Sequence, residues 1–325
     1  MEKHSSALNL LFTYEPVSPS TAVRSLGGIF LQKKLMLIMN PVAGKGGGIS
    51  ALPTVLGVLY EGGYIPSVFF TSGVGDATRL VLEHGANYDC VTCVGGDGTL
   101  SETVSGLARL PNPPLLGYIP QGTANDVAST LKLSKSPALA AKTVIHGRPI
   151  TIDVGRFNIN DYFAYIAAFG AFTEVSYETS REIKHTLGHL GYVLTAMSKL
   201  PTITDFSVRV EHDRGVIEDR LIFGSISNST SFAGIVKLDD SVVELDDGLF
   251  EVLLIQTPSN LVELNNIISH LLVNDFSGSN VTLLRSKKVK ITFDHAVKWT
   301  RDGEAGGSHK LVELENIPKA IRIMT

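Results

Sequence analysis

At 325 residues the chain has room for two ordinary domains, each with its own core, and 44% hydrophobic against 18% charged residues is the balance of a packed globular protein, not of a disordered one. A formal net charge of −4 without a Lys/Arg-rich block argues against nucleic acid as a partner. No uninterrupted apolar run approaches the roughly 18–20 residues of a membrane span, and no basic segment leads into a long apolar one at the start, so the chain reads as cytoplasmic.

Residues 1–32 carry Ser, Pro and Gly in no clear period and read as an extension of unknown structure. The pattern changes at Lys33: an apolar run from Leu35 to Met39 ends in Asn40-Pro41 and then in Gly44, Gly46, Gly47 and Gly48, which is strand followed by glycine loop. Ile49 to Tyr60 is helical in pattern, Ile65 to Phe70 strand-like, Thr78 to Glu83 helix-like, and Cys90 to Val94 runs into Gly95-Gly96-Asp97-Gly98-Thr99. Cys90 and Cys93 lie three apart on that strand and therefore on opposite faces, which argues for two buried, reduced thiols instead of a disulfide or a shared metal. Leu100, Val104, Leu107 and Ala108 then recur at helical spacing, and Leu115 to Ile119 is a strand ending in Pro120-Gln121-Gly122-Thr123. Alternating strands and helices predict a parallel sheet, with glycine loops at the carboxyl ends of strands, where open α/β sheets bind their ligands.

Beyond His146-Gly147-Arg148-Pro149 the rhythm shifts to strands and turns: Ile150 to Val154, Phe163 to Phe169, Phe206 to Glu211, Leu221 to Ser227, Leu249 to Ile255 and Val289 to Phe293. Asp213-Arg214-Gly215 reads as a hairpin turn, and two helices interrupt, Arg181 to Lys199 and Leu261 to Val273. The fold class expected is α/β + β: an N-terminal Rossmann-like α/β nucleotide-binding domain over 33–148 and a C-terminal β-rich, sandwich-like domain over 149–311.

The glycines of 95–99 let the backbone approach a phosphate and present free amides at a helix start, while Thr99 adds a hydroxyl. The segment lacks the glycine spacing of a dinucleotide fingerprint, and Gly44-Lys45 is followed by Gly46 where a P-loop needs Ser or Thr, so a different nucleotide loop is required. Gly122-Thr123-Ala124-Asn125-Asp126 repeats the same character one βα unit later, with Asn125 or Asp126 alone also explicable as a helix cap. Asp302-Gly303-Glu304 puts two carboxylates in a turn, and phosphoryl transfer to a hydroxyl needs one carboxylate to take the proton. Asp246-Asp247-Gly248 is a turn, or a source of hard oxygen ligands for a divalent cation.

Taken together, Asn40-Pro41-Val42-Ala43-Gly44-Lys45, Gly95 to Thr99, Gly122 to Asp126, Asp246-Asp247-Gly248-Leu249 and Asp302-Gly303-Glu304 resemble the diacylglycerol kinase catalytic family, the bacterial soluble lipid kinases above all. The resemblance runs from about Lys33 onward. It implies ATP between two domains with its phosphates against Gly95, Gly96, Asp97, Gly98 and Thr99, Lys45 facing them, and Asn40, Thr71, Gly122, Thr123 and Asn125 as further nucleotide contacts. Asp97 and Asp126 match acids that hold Mg2+ through water, Glu304 matches the proton acceptor, and Glu244, Asp247 and Leu249 match a metal loop in which Asp247 gives a carboxylate and the other two give carbonyls. Residues 312–325 are implied to return to the first domain. The resemblance leaves Asp302 as the competitor of Glu304, and allows a homodimer.

The function implied is transfer of the γ-phosphate of ATP to a lipid hydroxyl, most of all a diacylglycerol-like one, by an enzyme working peripherally at the inner membrane surface. NAD kinase shares a glycine-aspartate-glycine-threonine loop, but the second loop through Asp126 and the late Asp302-Gly303-Glu304 favour the lipid kinase. A catalytically inactive lipid- or nucleotide-binding regulator would need no general base, and Asp97, Asp126 and Glu304 stand together here. Phe169, Phe172 and the helix with Lys184, Leu187, Leu190 and Tyr192 are candidates for an acyl cleft or for ordinary core. Arg285, Lys287, Lys288 and Lys290 form a basic group suited to an anionic leaflet, or a solvated strand edge.

Overall fold

The computed structural model describes residues 32–44, 47–123, 125–171, 204–229, 231–232, 236–237 and 244–325. Lys45, Phe172 and the helix predicted over Arg181 to Lys199 lie outside the described residues.

From Lys33 onward come parallel strands of which three are buried on both faces, and these read in sequence as near-continuous apolar runs for that reason. β1 (Lys33–Met39), α1 (Gly47–Glu61), β2 (Tyr64–Phe70), α2 (Asp76–His84), β3 (Cys90–Gly95), α3 (Asp97–Leu107) and β4 (Leu115–Pro120) follow in turn, and β1, β3 and β4 keep almost every residue from solvent. All the pairings among these strands are parallel, in the order β2-β1-β3-β4. From β1 the chain crosses to β2 on one side, then returns to lay β3 and β4 on the other. The crevice at the carboxyl ends of β1 and β3 is therefore a topological switch point. Cys90 and Cys93 are free and buried on opposite faces of β3, in separate core clusters. Burial pushes their thiols up, to about 11 and about 12 respectively.

Two short helices, α4 (Asp126–Thr130) and α5 (Pro137–His146), lead into the antiparallel part. Its strands are β5 (Pro149–Phe157), β6 (Asp161–Phe163), β7 (Ile166–Gly170), β8 (Phe206–His212), β9 (Gly215–Ser227), the short pair β10 (Ser231–Phe232) and β11 (Val236–Lys237), β12 (Phe250–Gln256), β13 (Val281–Ser286), β14 (Lys288–Arg301) and β15 (Glu304–Met324), with α6 (Leu261–Leu272) between β12 and β13. Asn260 caps α6 by accepting the amides of Val262 and Glu263, each at 3.0 Å. β8 and β9 form the hairpin around Asp213-Arg214, and β7, β9, β8 and β14 pair in a closed ring. Inside that ring Phe169, Phe293 and Trp299 pack with ring centroids 4.9–6.2 Å apart. Phe169 is fully buried there, so it is core and not the wall of an acyl cleft; aromatic side chains of this size dominate core energetics.

β15 joins the two parts. It pairs antiparallel with β14 and β5 along its length, and Ile323 pairs in parallel with Leu116 of β4. One 13-stranded sheet is the result.

The candidate active-site cleft

Each loop at the switch point is shaped by its own residues. Asn40 follows β1 and donates its amide to Val94 O at 3.1 Å; its side chain accepts from Val42 N at 3.0 Å and donates to Thr99 Oγ1 at 3.3 Å. The β1 loop is thereby tied to the start of α3. The glycines set how closely the loops meet: a Cβ on Gly122 would stand 2.5 Å from the Gly96 Cα, and one on Gly44, at φ +64°, would stand 2.5 Å from Gln121 O. No side chain fits at either contact. Asn125 is buried in the left-handed region, at φ 56°, with its side chain turned back on the loop. It donates to Gly122 O and accepts Gly122 N, both at 2.8 Å. It holds the loop in shape instead of facing the cleft.

These loops enclose a cleft of about 570 Å³ lined by Asn40, Gly44, Thr71, Gly96, Gly98, Thr99, Gly122, Thr123, Glu102 and Glu304, with Ser72, Gly73 and Val74. Eight of the residues singled out in sequence thus meet in one place, although Glu304 lies 205 positions after Thr99. Thr71 reaches the cleft because its amide continues the sheet, donating to Met39 O at 2.9 Å.

The two acids of the Asp302-Gly303-Glu304 turn part company. Asp302, at φ 49°, is buried. One carboxylate oxygen accepts Ser101 Oγ at 2.5 Å and Ala164 N at 2.6 Å, and the other accepts the amides of Tyr165 and Ile166, each at 3.0 Å. Two oxygens offer about four lone-pair positions in all, so none is left over. Burial raises this carboxyl, and the four donors pull it the other way. Glu304 turns instead into the cleft, its Oε1 3.0 Å from where a Cβ on Gly98 would be. Desolvation first, and then the negative charge of Glu102, raises its carboxyl above the ordinary range.

Glu102 carries no signal in its local sequence. It sits on α3, and its oxygens accept the amides of Gly75 at 2.7 Å and Ala77 at 3.0 Å, fastening the loop that follows Thr71 and the exposed start of α2. α3 is therefore a hub: Asp97 in its first turn, Ser101 on Asp302, Glu102 on the neighbouring loop.

Asp97 and Asp126 open α3 and α4, and Val127 N lies 3.4 Å from Asp97 Oδ1. The Tyr165 hydroxyl group is driven up by burial first, and then by the negative charges of Asp302, Asp97 and Asp126. Among the described residues no group of three His, Cys, Asp or Glu side chains is placed to hold a metal alone. Glu244, Asp247 and Leu249 lie apart from the cleft, in the turn before β12, where Asp247 pairs with Arg285.

The basic group at 285–290 is largely spent within the protein. Arg285 pairs with Asp247 and Glu251, Lys288 with Glu315 at 3.1 Å, and Lys290 stands 3.9 Å from Glu211. Of the two readings of that group, the geometry supports the strand edge.

Comparison with known proteins bears on the same chain. The family model of the diacylglycerol kinase catalytic domain matches residues 34–157, and that of the YegS C-terminal NAD kinase beta sandwich-like domain matches residues 168–325. A diacylglycerol kinase of Staphylococcus carnosus is 34% identical over 281 residues, 85% of this chain and 90% of that protein. One from Staphylococcus epidermidis is 34% identical over 299 residues, 91% of this chain and 93% of that protein. The crystal structure of a diacylglycerol kinase from Bacillus anthracis is similar with a TM-score of 0.73 at 25% identity, over 90% of this chain and 96% of that one. A lipid kinase, a phosphotransferase with an alcohol acceptor, is the class these matches define. The chain belongs to the diacylglycerol kinase catalytic family, which implies use of ATP, and it joins a mixed α/β N-terminal domain to a β-rich C-terminal one. The NAD kinase-like description of the second domain does not outweigh the named relatives.

Proposed function

We propose that the protein phosphorylates the free hydroxyl of a diacylglycerol-like lipid with MgATP, in the cleft between the glycine loops and Glu304. The observation that carries this is the placement of the Glu304 carboxylate over Gly98, in the cleft that Gly96, Thr99, Gly122 and Thr123 also line. On this reading 33–148 with 312–325 is a Rossmann-like nucleotide domain and 149–311 presents the lipid.

Backbone amides at 96–99 receive the phosphates, as amides at a helix start do, with Asn40 and Thr123 lining the same cleft and Lys45 in the phosphate-facing role the family resemblance implies. Asp97 and Asp126 would hold Mg2+, the role the family resemblance gives them, and a cation that keeps much of its hydration shell suits two acids alone; when bound, it would offset the charge of the transferring phosphate. Glu304 accepts the proton of the lipid hydroxyl as that oxygen bonds to the γ-phosphorus and the bond to the β-phosphate oxygen breaks. A raised carboxyl is the better base for a hydroxyl. Asp302 is a fastener with no lone pair to offer.

Among the described residues no helix is long and apolar enough to cross a membrane, in keeping with an enzyme that meets its lipid peripherally from the cytoplasm. The test is incubation of the purified protein with γ-labelled ATP, Mg2+ and vesicles containing diacylglycerol, a sphingoid base, phosphatidylglycerol or a polyprenol, with NAD in a parallel reaction. Label is expected in a chloroform-extractable product, most of all from diacylglycerol. Label in NADP with none in lipid would overturn the reading.

A further inference from the structure

The turn before β12 is the place where the family resemblance implies a metal, and the carboxylate that resemblance assigns to it, Asp247, is already ion-paired. We infer that the Arg285 guanidinium is the resident cation of the 244–249 loop, an internal ion pair standing where related proteins would place a metal ion. Asp247 is the only carboxylate of the implied set. Its Oδ1 accepts Leu249 N at 2.9 Å and its Oδ2 accepts Arg285. Glu251, four residues on, is 1% exposed and lies directly across from Arg285 in the β12–β13 ladder, with Arg285 Nε 3.3 Å from its Oε1. A planar guanidinium can span two carboxylates in this way, where a lysine could not.

The acids around the loop are likewise occupied. Asp246 takes the Thr151 hydroxyl at 2.7 Å. Asp153, fully buried on β5, takes Gly248 N and Lys319 N, both at 2.7 Å. A divalent ion at Asp247 would stand beside the guanidinium, so two cations would compete for one small group of acids. Removing Arg285 would leave buried acid unpaired, and that is the costly way to break such a cluster.

The prediction concerns stability without nucleotide and so stands apart from the catalytic reading. Thermal midpoints of the full-length, nucleotide-free protein are measured in EDTA and in millimolar Mg2+ or Ca2+. The wild-type midpoint is expected to be the same in both. Arg285→Met should lower it by about 5 °C or more in EDTA, and Ca2+ or Mg2+ should restore part of the loss, because Asp247 and Glu251 become available. A wild-type midpoint that falls in EDTA and returns with metal would overturn the inference, as would an Arg285→Met midpoint equal to wild type. Should Arg285→Met fail to accumulate, Arg285→Met/Asp247→Asn/Glu251→Gln decides: a folded protein indifferent to EDTA supports the assignment, and one that still fails to fold overturns it.

Discussion

The cleft at the carboxyl ends of β1 and β3 and the turn at 244–249 are built from the same residue types, glycine beside aspartate, and differ in what is done with the polar groups. Around the turn, Asp153, Asp246 and Asp247 each accept from a donor of the chain itself. Around the cleft, the glycine loops are held by Asn125 behind Gly122 and by Asn40, which ties the β1 loop to Thr99, while Glu304 faces inward with its carboxylate over Gly98. A loop that is only architecture uses its lone pairs internally. A loop that receives a ligand is braced from behind and keeps its front open. Asp302 and Glu304 show the same contrast two residues apart.

The largest effect that would sharpen this contrast is expected at Asp97. Asp97→Ala should abolish turnover, and chelation of Mg2+ should do the same to the wild type; because the loss is of metal positioning and not of packing, the thermal midpoint should hold. Undiminished activity in the variant would remove the acid from the site.

Glu304→Gln keeps size and hydrogen bonding while removing basicity, so kcat should fall by roughly 10²- to 10⁴-fold with little change in KM for ATP. Asp302→Asn puts an NH2 group against donors that need an acceptor, and should show first as a lowered thermal midpoint. Steady-state kinetics and melting curves on the pair check this; near-normal turnover in Glu304→Gln with collapse in Asp302→Asn would exchange their roles.

A smaller change is expected where the loops touch. Gly122→Ala places a methyl 2.5 Å from the Gly96 Cα, and overpacking of this kind costs about 1–3 kcal/mol. The loops would part, and KM for ATP should rise by about tenfold with the fold kept, as seen by initial rates across ATP concentration.

The smallest is a shift along the pH axis. Glu304 must be ionised to act, and its carboxyl is raised, so activity should be lost as pH falls through a value above that of an ordinary glutamate. Glu102 supplies part of that raising by its charge. Glu102→Gln should therefore move the acid limb of kcat/KM to lower pH; an unmoved limb would mean that Glu102 acts only on the 75–77 amides.

The parallel sheet and its loops were legible in the sequence because their signals are local. Doubly buried strands read as apolar runs, and Gly95 to Thr99 announces a turn and a phosphate-sized approach within five residues. The difference between Asp302 and Glu304 was not legible, since what saturates Asp302 is Ser101 and the amides of 164–166, more than a hundred positions away. Resemblance alone separated the two. For the same reason Arg285, Lys288 and Lys290 looked like a basic group: their partners Asp247, Glu315 and Glu211 come from other strands. Phe169 could be core or cleft until β7, β9, β8 and β14 closed around it. The strand predicted at Val289 to Phe293 proved to be only the first part of β14, because a mixed run such as Asp294-His295-Ala296 breaks the alternation without ending the strand.

β15 has a consequence for how the enzyme comes into being. The strand opens with Glu304 and closes with Ile323 seated between Leu116 of β4 and Ile150 of β5, a pairing about two hundred positions apart in the chain. Pairings so distant are slow to form. During synthesis the glycine loops emerge early and can fold around β1 to β4, yet the carboxylate that completes the cleft arrives on the last strand of the sheet. On the role proposed for Glu304, a partly made chain lacks its general base, and phosphate transfer should stay slow until β15 is threaded into place.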